Sequence, residues 1–169
     1  MSVKYSKRQS GIEGSGIFAD EDILEEESVM QLSGKKVSAE EIDELLEAGK
    51  LRFDDPFQVG EEEYLVLDPL PLSVNHSCDP NAGVRGENKL VALRTITAGE
   101  EITYDYSTVV GDNNSEWHMA CNCGASTCRK VIGSWKILSS TQLAFYHKRN
   151  ALPDFILKQS GLDGLSPGV

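Results

Sequence analysis

Asn75-His76-Ser77-Cys78-Asp79-Pro80-Asn81-Ala82 gathers four side chains suited to bonding back onto the main chain (Asn75, His76, Asp79 and Asn81) around a proline that sets a turn. One reading is a self-satisfied loop. The other is a tight polar turn whose main chain and Asn/His side chains grip a ligand. A nucleophilic pair of His76 and Cys78 is disfavoured, because neighbours two apart usually do not meet in line and no orienting group is evident in the sequence. Cys78 leads outward to the other three cysteines. Cys121, Cys123 and Cys128 form a C-x-C-x4-C cluster, CNCGASTC. The first residues, MSVKYSKRQSGIEGSG, hold no apolar signal core, so disulfides are the less favoured use and an intracellular setting, cytoplasm or nucleus, is expected. Four thiolates are what a closed structural zinc site needs, and a C-x-C pair suits two corners of a tetrahedron. Unrelated free thiols are the alternative. A bound ion would tie the segment from Cys121 onward to the body at Cys78.

Two further motifs flank these. Gly14-Ser15-Gly16, after Gly11, lacks the third glycine and the long following helix of a dinucleotide fingerprint. It allows close backbone approach to a small ligand, or a plain turn. Glu100 to Ser107, EEITYDYS, puts Tyr104 and Tyr106 on one side of an extended segment by period two. Core packing with satisfied hydroxyls competes there with a role in a site.

The chain around these motifs is of ordinary globular composition. It has 169 residues, 40% apolar and 25% charged, enough for one domain with small appendages. No apolar run reaches the roughly 18 residues of a membrane-spanning helix. The net charge of −11 excludes a protein held to nucleic acid by its overall field and favours a basic partner. Residues 1–70 hold 18 Asp/Glu against 7 Lys/Arg, with runs at Asp20-Glu21-Asp22, Glu25-Glu26-Glu27 and Glu61-Glu62-Glu63. Such runs form a solvated face or a groove for a cationic peptide. Strands are expected at Ile17–Ala19, Ser28–Leu32, Tyr64–Leu67, Leu90–Ile96 and Ile102–Tyr106. Helices are expected at Ser38–Ala48, with a Ser38/Glu41 capping box and Ile42, Leu45 and Leu46 on one face, and at Thr141–Arg149 and Asp154–Gln159. The result is a mainly β or α+β domain with a helical C-terminal appendage.

Taken in order, GSGIFA, NHSCDPNA, GEEITYDYS and CNCGASTCR resemble the SET domain of protein lysine methyltransferases with its post-SET cysteine cluster, over about residues 11–132. The resemblance implies a mainly β, β-rich α+β fold of small curved sheets. It also implies a pseudoknot-like crossing of the NHSC segment with the chain around Tyr106. The expected divisions are a SET domain over 11–110, a post-SET zinc segment over 117–132 and a helical C-terminal extension over 133–169. S-adenosylmethionine would lie against Gly14, Ser15, Gly16, Ile17 and Phe18, with Asn75 and His76 contacting it through main-chain and amide groups. Tyr106 would stand at the mouth of a channel between cofactor and peptide. Tyr104 occupies the position where Tyr, rather than Phe, accompanies transfer of a single methyl. Cys78, Cys121, Cys123 and Cys128 would hold one structural zinc ion.

The function so implied is an S-adenosylmethionine-dependent protein lysine N-methyltransferase, monomethylating, acting on a lysine-containing basic protein or histone-like peptide, with neither nucleic acid nor membrane as partner. The alternative is a SET-like module that binds a peptide or partner without turnover. Methyl transfer to lysine is an in-line displacement and needs a neutral amine, although free lysine has a pKa of about 10.4. A dry channel and a nearby sulfonium both lower it, so alignment and electrostatics, rather than a strong base, carry the chemistry. One departure stands out. Many relatives carry Arg three residues before the Asn of NHSC, near the cofactor carboxylate; this chain has Leu72.

Overall fold

The computed structural model describes residues 3–167. In chain order the elements are β1 (Tyr5–Gln9), β2 (Ser15–Ala19), β3 (Ser28–Gln31), β4 (Gly34–Ser38), α1 (Ala39–Glu47), β5 (Pro56–Gln58) and β6 (Glu63–Leu67). Next come β7 (Asn75–His76), β8 (Ala82–Arg85), β9 (Lys89–Ala92), β10 (Glu101–Tyr104), β11 (Met119–Ala120) and β12 (Val131–Ile132), then α2 (Ser140–Lys148) and α3 (Asp154–Ser160). The strands form small sheets ordered β1-β2-β10-β7, β3-β9-β8, β4-β6-β5 and β11-β12. This is the β-rich architecture expected from the sequence.

The main core lies between the first two sheets, where Ile17, Ile23, Leu32, Val74, Val84, Leu90, Ile96 and Ile102 are almost wholly buried. β4 and β6 pack under α1 through Val37, Ile42 and Tyr64. Helix α1 starts where its capping box places it. Ser38 Oγ accepts from the Glu41 N–H and Glu41 Oε2 accepts from the Ser38 N–H, at 3.2 and 2.9 Å. Of the expected apolar face only Ile42 is buried; Leu45 and Leu46 are half-buried.

Two expected strands end early. β9 stops at Ala92, and Ile96 keeps only an isolated bridge to Ile23. β10 stops at Tyr104, because Asp105 turns its carboxylate back to accept the Ser107 N–H and starts a 3-10 turn over Tyr106–Val109. Short acidic side chains compete with strand ladders in this way. β7 runs parallel to β10, pairing Asn75 with Thr103 and His76 with Tyr104. Asn81 extends the contact: its amide nitrogen donates to Glu101 O at 2.8 Å and its oxygen accepts the Thr103 N–H at 2.9 Å. The polar octapeptide is thus held alongside both tyrosines.

The C-terminal helices pack back onto the body. Tyr146, Leu152, Phe155 and Ile156 form a second buried cluster with Leu93 and Leu138. Arg85 donates to the carbonyls of Asn150 and Arg149, and Asp154 N–H donates to Gly86 O. Gly83 makes the approach possible, since a Cβ there would lie 2.8 Å from Ala151 Cβ.

At the centre sits the carboxylate of Asp105, with no exposed side-chain surface. Arg129, the residue after the last cysteine, binds it through both terminal nitrogens at 2.8 and 2.7 Å. Tyr146 of α2 donates to Oδ2 at 3.0 Å. Breaking a buried pair by removing one partner costs about 3–5 kcal/mol, and a hydrogen bond to a charged group is worth about 1.5–3 kcal/mol. Asp105→Asn is therefore expected to lower unfolding stability by about 3–5 kcal/mol, and Tyr146→Phe by about 1.5–3 kcal/mol. Both are read from the urea midpoint at constant slope; an unmoved midpoint in Tyr146→Phe would show that the tail is held by apolar packing alone.

Candidate functional site

Two cavities adjoin at Tyr106. The first, of about 250 Å³, is bounded by Phe53, Phe57, Tyr64, Leu67, Val74, Tyr104, Val109 and Trp117, with Asp43, Asp54 and Asp55 on its wall. The second, of about 700 Å³, is bounded by Ile12 to Ser15, Asn75 and His76, and Met119 to Cys123. Asp54, Asp55, Leu72 and Tyr106 line both. An aromatic, partly acidic pocket and a larger polar one thus share a wall.

The glycine-rich wall of the larger cavity is fastened by Asn75. Its amide nitrogen donates to Glu13 O and Ser15 O, both at 3.1 Å, and to Glu101 Oε1 at 2.7 Å. Gly14 takes a left-handed conformation (φ 45°) within this turn. A Cβ at Gly16 would lie 2.1 Å from Glu101 Oε1, so glycine there lets Glu101 reach Asn75. Of the residues expected against the cofactor, Gly14, Ser15, Asn75, His76 and Tyr106 line this cavity; Gly16, Ile17 and Phe18 do not. Ile17 points into the core, and the Phe18 ring lies under the Arg8 guanidinium at 5.6 Å. The wall comes instead from residues just before the strand, where the chain turns and exposes its backbone.

Tyr104 and Tyr106 have ring centroids 4.9 Å apart. The Tyr106 hydroxyl donates to Val74 O at 2.8 Å. Burial, then the charges of Glu13 and Asp54, push the Tyr106 phenol well above its usual value. Burial does the same to Tyr104. Both are neutral hydrogen-bonding groups and neither acts as a base near neutral pH.

His76 lies beneath them. Its Nδ1 accepts the Tyr106 N–H at 3.1 Å, which places the ring proton on Nε2, 3.2 Å from Cys78 Sγ. Burial lowers its pKa to about 4, against the pull of Asp105, so the ring is neutral. The ligand atoms of His76, Cys78, Cys121 and Cys123 lie within 4.8 Å of one another. A metal on Nε2 would, however, need both ring nitrogens as lone-pair donors, one to the metal and one to the amide, which requires an imidazolate. His76 is better placed as a donor to a thiolate, and Cys128 as the fourth sulfur.

The sulfur spacings agree. Cys78 to Cys121 and Cys121 to Cys128 are each 3.7 Å. A tetrahedron with Zn–S near 2.3 Å has edges of about 3.8 Å. The main-chain N–H groups of Cys78, Arg129 and Lys130 point at Cys123, Cys78 and Cys128 sulfurs, each at 3.4 Å. Burial pushes the Cys78 and Cys121 thiols up, whereas at Cys123 burial is outweighed by main-chain N–H groups and the neighbouring sulfurs, which hold it down at about 7, so the cluster would become four thiolates only with a cation among them.

The acidic runs are placed elsewhere. Asp20 binds Arg8 and Ser6, Glu26 binds Arg85 and Glu27 binds Lys4, and none of the three runs lines either cavity. The carboxylates that do are Glu13, Asp43, Asp54 and Asp55, isolated or paired in the sequence. Sequence reasoning missed these, together with Arg52, Phe53 and Trp117, which no periodicity marks. Asp105 and Arg129 carried a signal in their positions, one between the two tyrosines and the other directly after Cys128.

Comparisons with known proteins agree with this geometry. The chain is 31% identical over 141 residues to human histone-lysine N-methyltransferase 2B, covering 73% of this chain and 5% of that protein. It is 32% identical over 133 residues to the Arabidopsis thaliana histone-lysine N-methyltransferase ASHH3, covering 71% of this chain and 36% of that protein. The chain thus spans a minor part of these relatives. Among solved structures, ctPRC2 in an autoinhibited conformation bound to S-adenosylmethionine superimposes with a TM-score of 0.57 at 25% identity, covering 64% of this chain and 16% of that one. The SET domain family model matches residues 14–107, more than half the chain, and takes in the glycine turn, the NHSC segment and both tyrosines; this protein belongs to the SET domain family.

Proposed function

We propose that this chain transfers a methyl group from S-adenosylmethionine to the ε-amine of a lysine in a basic protein or peptide. One observation carries the reading: a polar cavity of about 700 Å³ and an aromatic one of about 250 Å³ adjoin at Tyr106. The larger suits the cofactor and the smaller a lysine side chain. Relatives named as histone-lysine N-methyltransferases support the reaction class, and a histone-like tail is the substrate class we favour.

The cofactor, when bound, supplies a methyl group made electrophilic by its sulfonium. The protein's residues do the rest. Asp43 and Asp55 attract the lysine as a cation, while the wall of Phe57, Leu67, Val74 and Val109 penalises its charge and favours the neutral amine. Tyr106, fixed by its bond to Val74 O, keeps its oxygen free to accept a polarised C–H or N–H at the shared wall. Tyr104, buried beside it, takes up space on the lysine side, which supports monomethylation. Cys78, Cys121, Cys123 and Cys128 hold one zinc ion in this reading, and the ion fixes the wall from Met119 to Cys123. A binding module without turnover is the second reading, favoured by apolar Leu72 in the larger cavity. Transfer of labelled methyl to histones or lysate, with calorimetry for the cofactor, separates the two; binding without transfer on any substrate would leave the module.

Tyr106→Phe is expected to cut turnover by about 10²-fold or more, with cofactor affinity near native, because only the hydroxyl is lost. Equal turnover would end its role. Tyr104→Phe is expected to shift products toward di- and trimethyl-lysine in mass spectra; unchanged methyl counts would assign that tyrosine to packing. Metal analysis is expected to find one zinc per chain, lost in Cys123→Ser and Cys128→Ser. Full retention in Cys128→Ser would put His76 at the fourth corner instead.

A further inference from the structure

We propose that Arg52 and Asp54, in the turn before β5, grip the charged amino-acid end of the cofactor; this rests on the cofactor reading above. That end carries a carboxylate and an ammonium on one carbon, so its site needs a cation and an anion side by side. The cationic side chains lining the larger cavity are Lys7 and Arg52. Lys7 lines it without entering any ion pair among the described residues. Leu72, on the same wall, holds no anion.

Arg52 differs. Its Nη2 contacts Asp54 Oδ2 at 2.7 Å and Glu13 Oε1 at 3.5 Å, while Nε and Nη1 donate to no acceptor among the described residues. The unused edge of a guanidinium matches a carboxylate with two parallel bonds. Asp54 complements it. Its side chain is 12% exposed, one oxygen is taken by Arg52, and Oδ1 is buried with no hydrogen-bond donor among the described residues. A carboxylate left with one donor is under-satisfied, and a ligand ammonium set against its Arg52-bound oxygen from the cavity side adds a second. Asp54 lines both cavities together with Tyr106. A cofactor clamped there by its amino acid places its sulfur, a short chain away, toward the shared wall.

The test is calorimetry on the full chain with two probes, S-adenosylhomocysteine and 5′-methylthioadenosine, which share the thioether nucleoside and differ in the amino-acid end. R52A and D54N are each expected to weaken S-adenosylhomocysteine about tenfold or more, with R52K intermediate and 5′-methylthioadenosine changed less than about twofold. Native affinity of R52A for S-adenosylhomocysteine overturns the clamp, as does equal loss of both probes. A loss in Lys7→Ala that R52A does not share also overturns it. If the native chain binds neither probe, the cofactor reading itself falls; if it binds S-adenosylhomocysteine and R52A binds equally, only the clamp falls.

Discussion

A single carboxylate, that of Asp105, joins the three parts of this molecule. It belongs to the β-sheet body, Arg129 to the cysteine-rich segment and Tyr146 to the C-terminal helix pair, and all meet at an acid with no exposed side-chain surface. Charge buried so deeply is tolerated only when its acceptor sites are filled, and here the Ser107 N–H, the Arg129 fork and the Tyr146 hydroxyl fill them. Because Asp105 lies between Tyr104 and Tyr106, the same interaction that closes the fold also sets where β10 ends and how the two rings are aimed.

His76 links this acid to the cysteine cluster. Its ring accepts an amide at one nitrogen and presents a proton to Cys78 at the other, 3.6 Å from Asp105 at the nearest approach. A neutral imidazole is consistent with that arrangement, and burial keeps it neutral. The sulfur tetrad, the histidine and the Asp105–Arg129 pair therefore behave as one polar core beside the apolar one. Its low dielectric strengthens each contact and makes each unpaired group expensive.

Around the candidate site the electrostatics divide by position. Burial raises the pKa of the Tyr104 and Tyr106 phenols, which disfavours the phenolate form of both. The acidic runs largely face solvent or pair with nearby basic groups, and contribute a diffuse field rather than contacts in the cavities. The carboxylates lining the cavities come from a helix, from the turn before the glycine pair and from the turn before β5. Their effect is short-ranged and little screened, which is where a charged side chain is selected.

The amino-acid sequence by itself determined five of the strands, the three helices, the cap of the first helix, and the family, because these rest on local periodicity, capping chemistry and short motifs such as NHSC-x-PN and C-x-C-x4-C. It also marked Tyr104 and Tyr106 as neighbours, since period two is a property of the chain. Tertiary structure alone decided that Ile17 and Phe18 leave the cavity while Ile12 and Glu13 enter it. It also decided that Asp105 ends its strand, that His76 donates to sulfur, and that Arg52 and Asp54 reach the wall shared by two cavities. Each of these depends on which distant segment lies opposite, a choice made by burial and charge pairing over the whole chain, and no pattern among neighbouring residues encodes it.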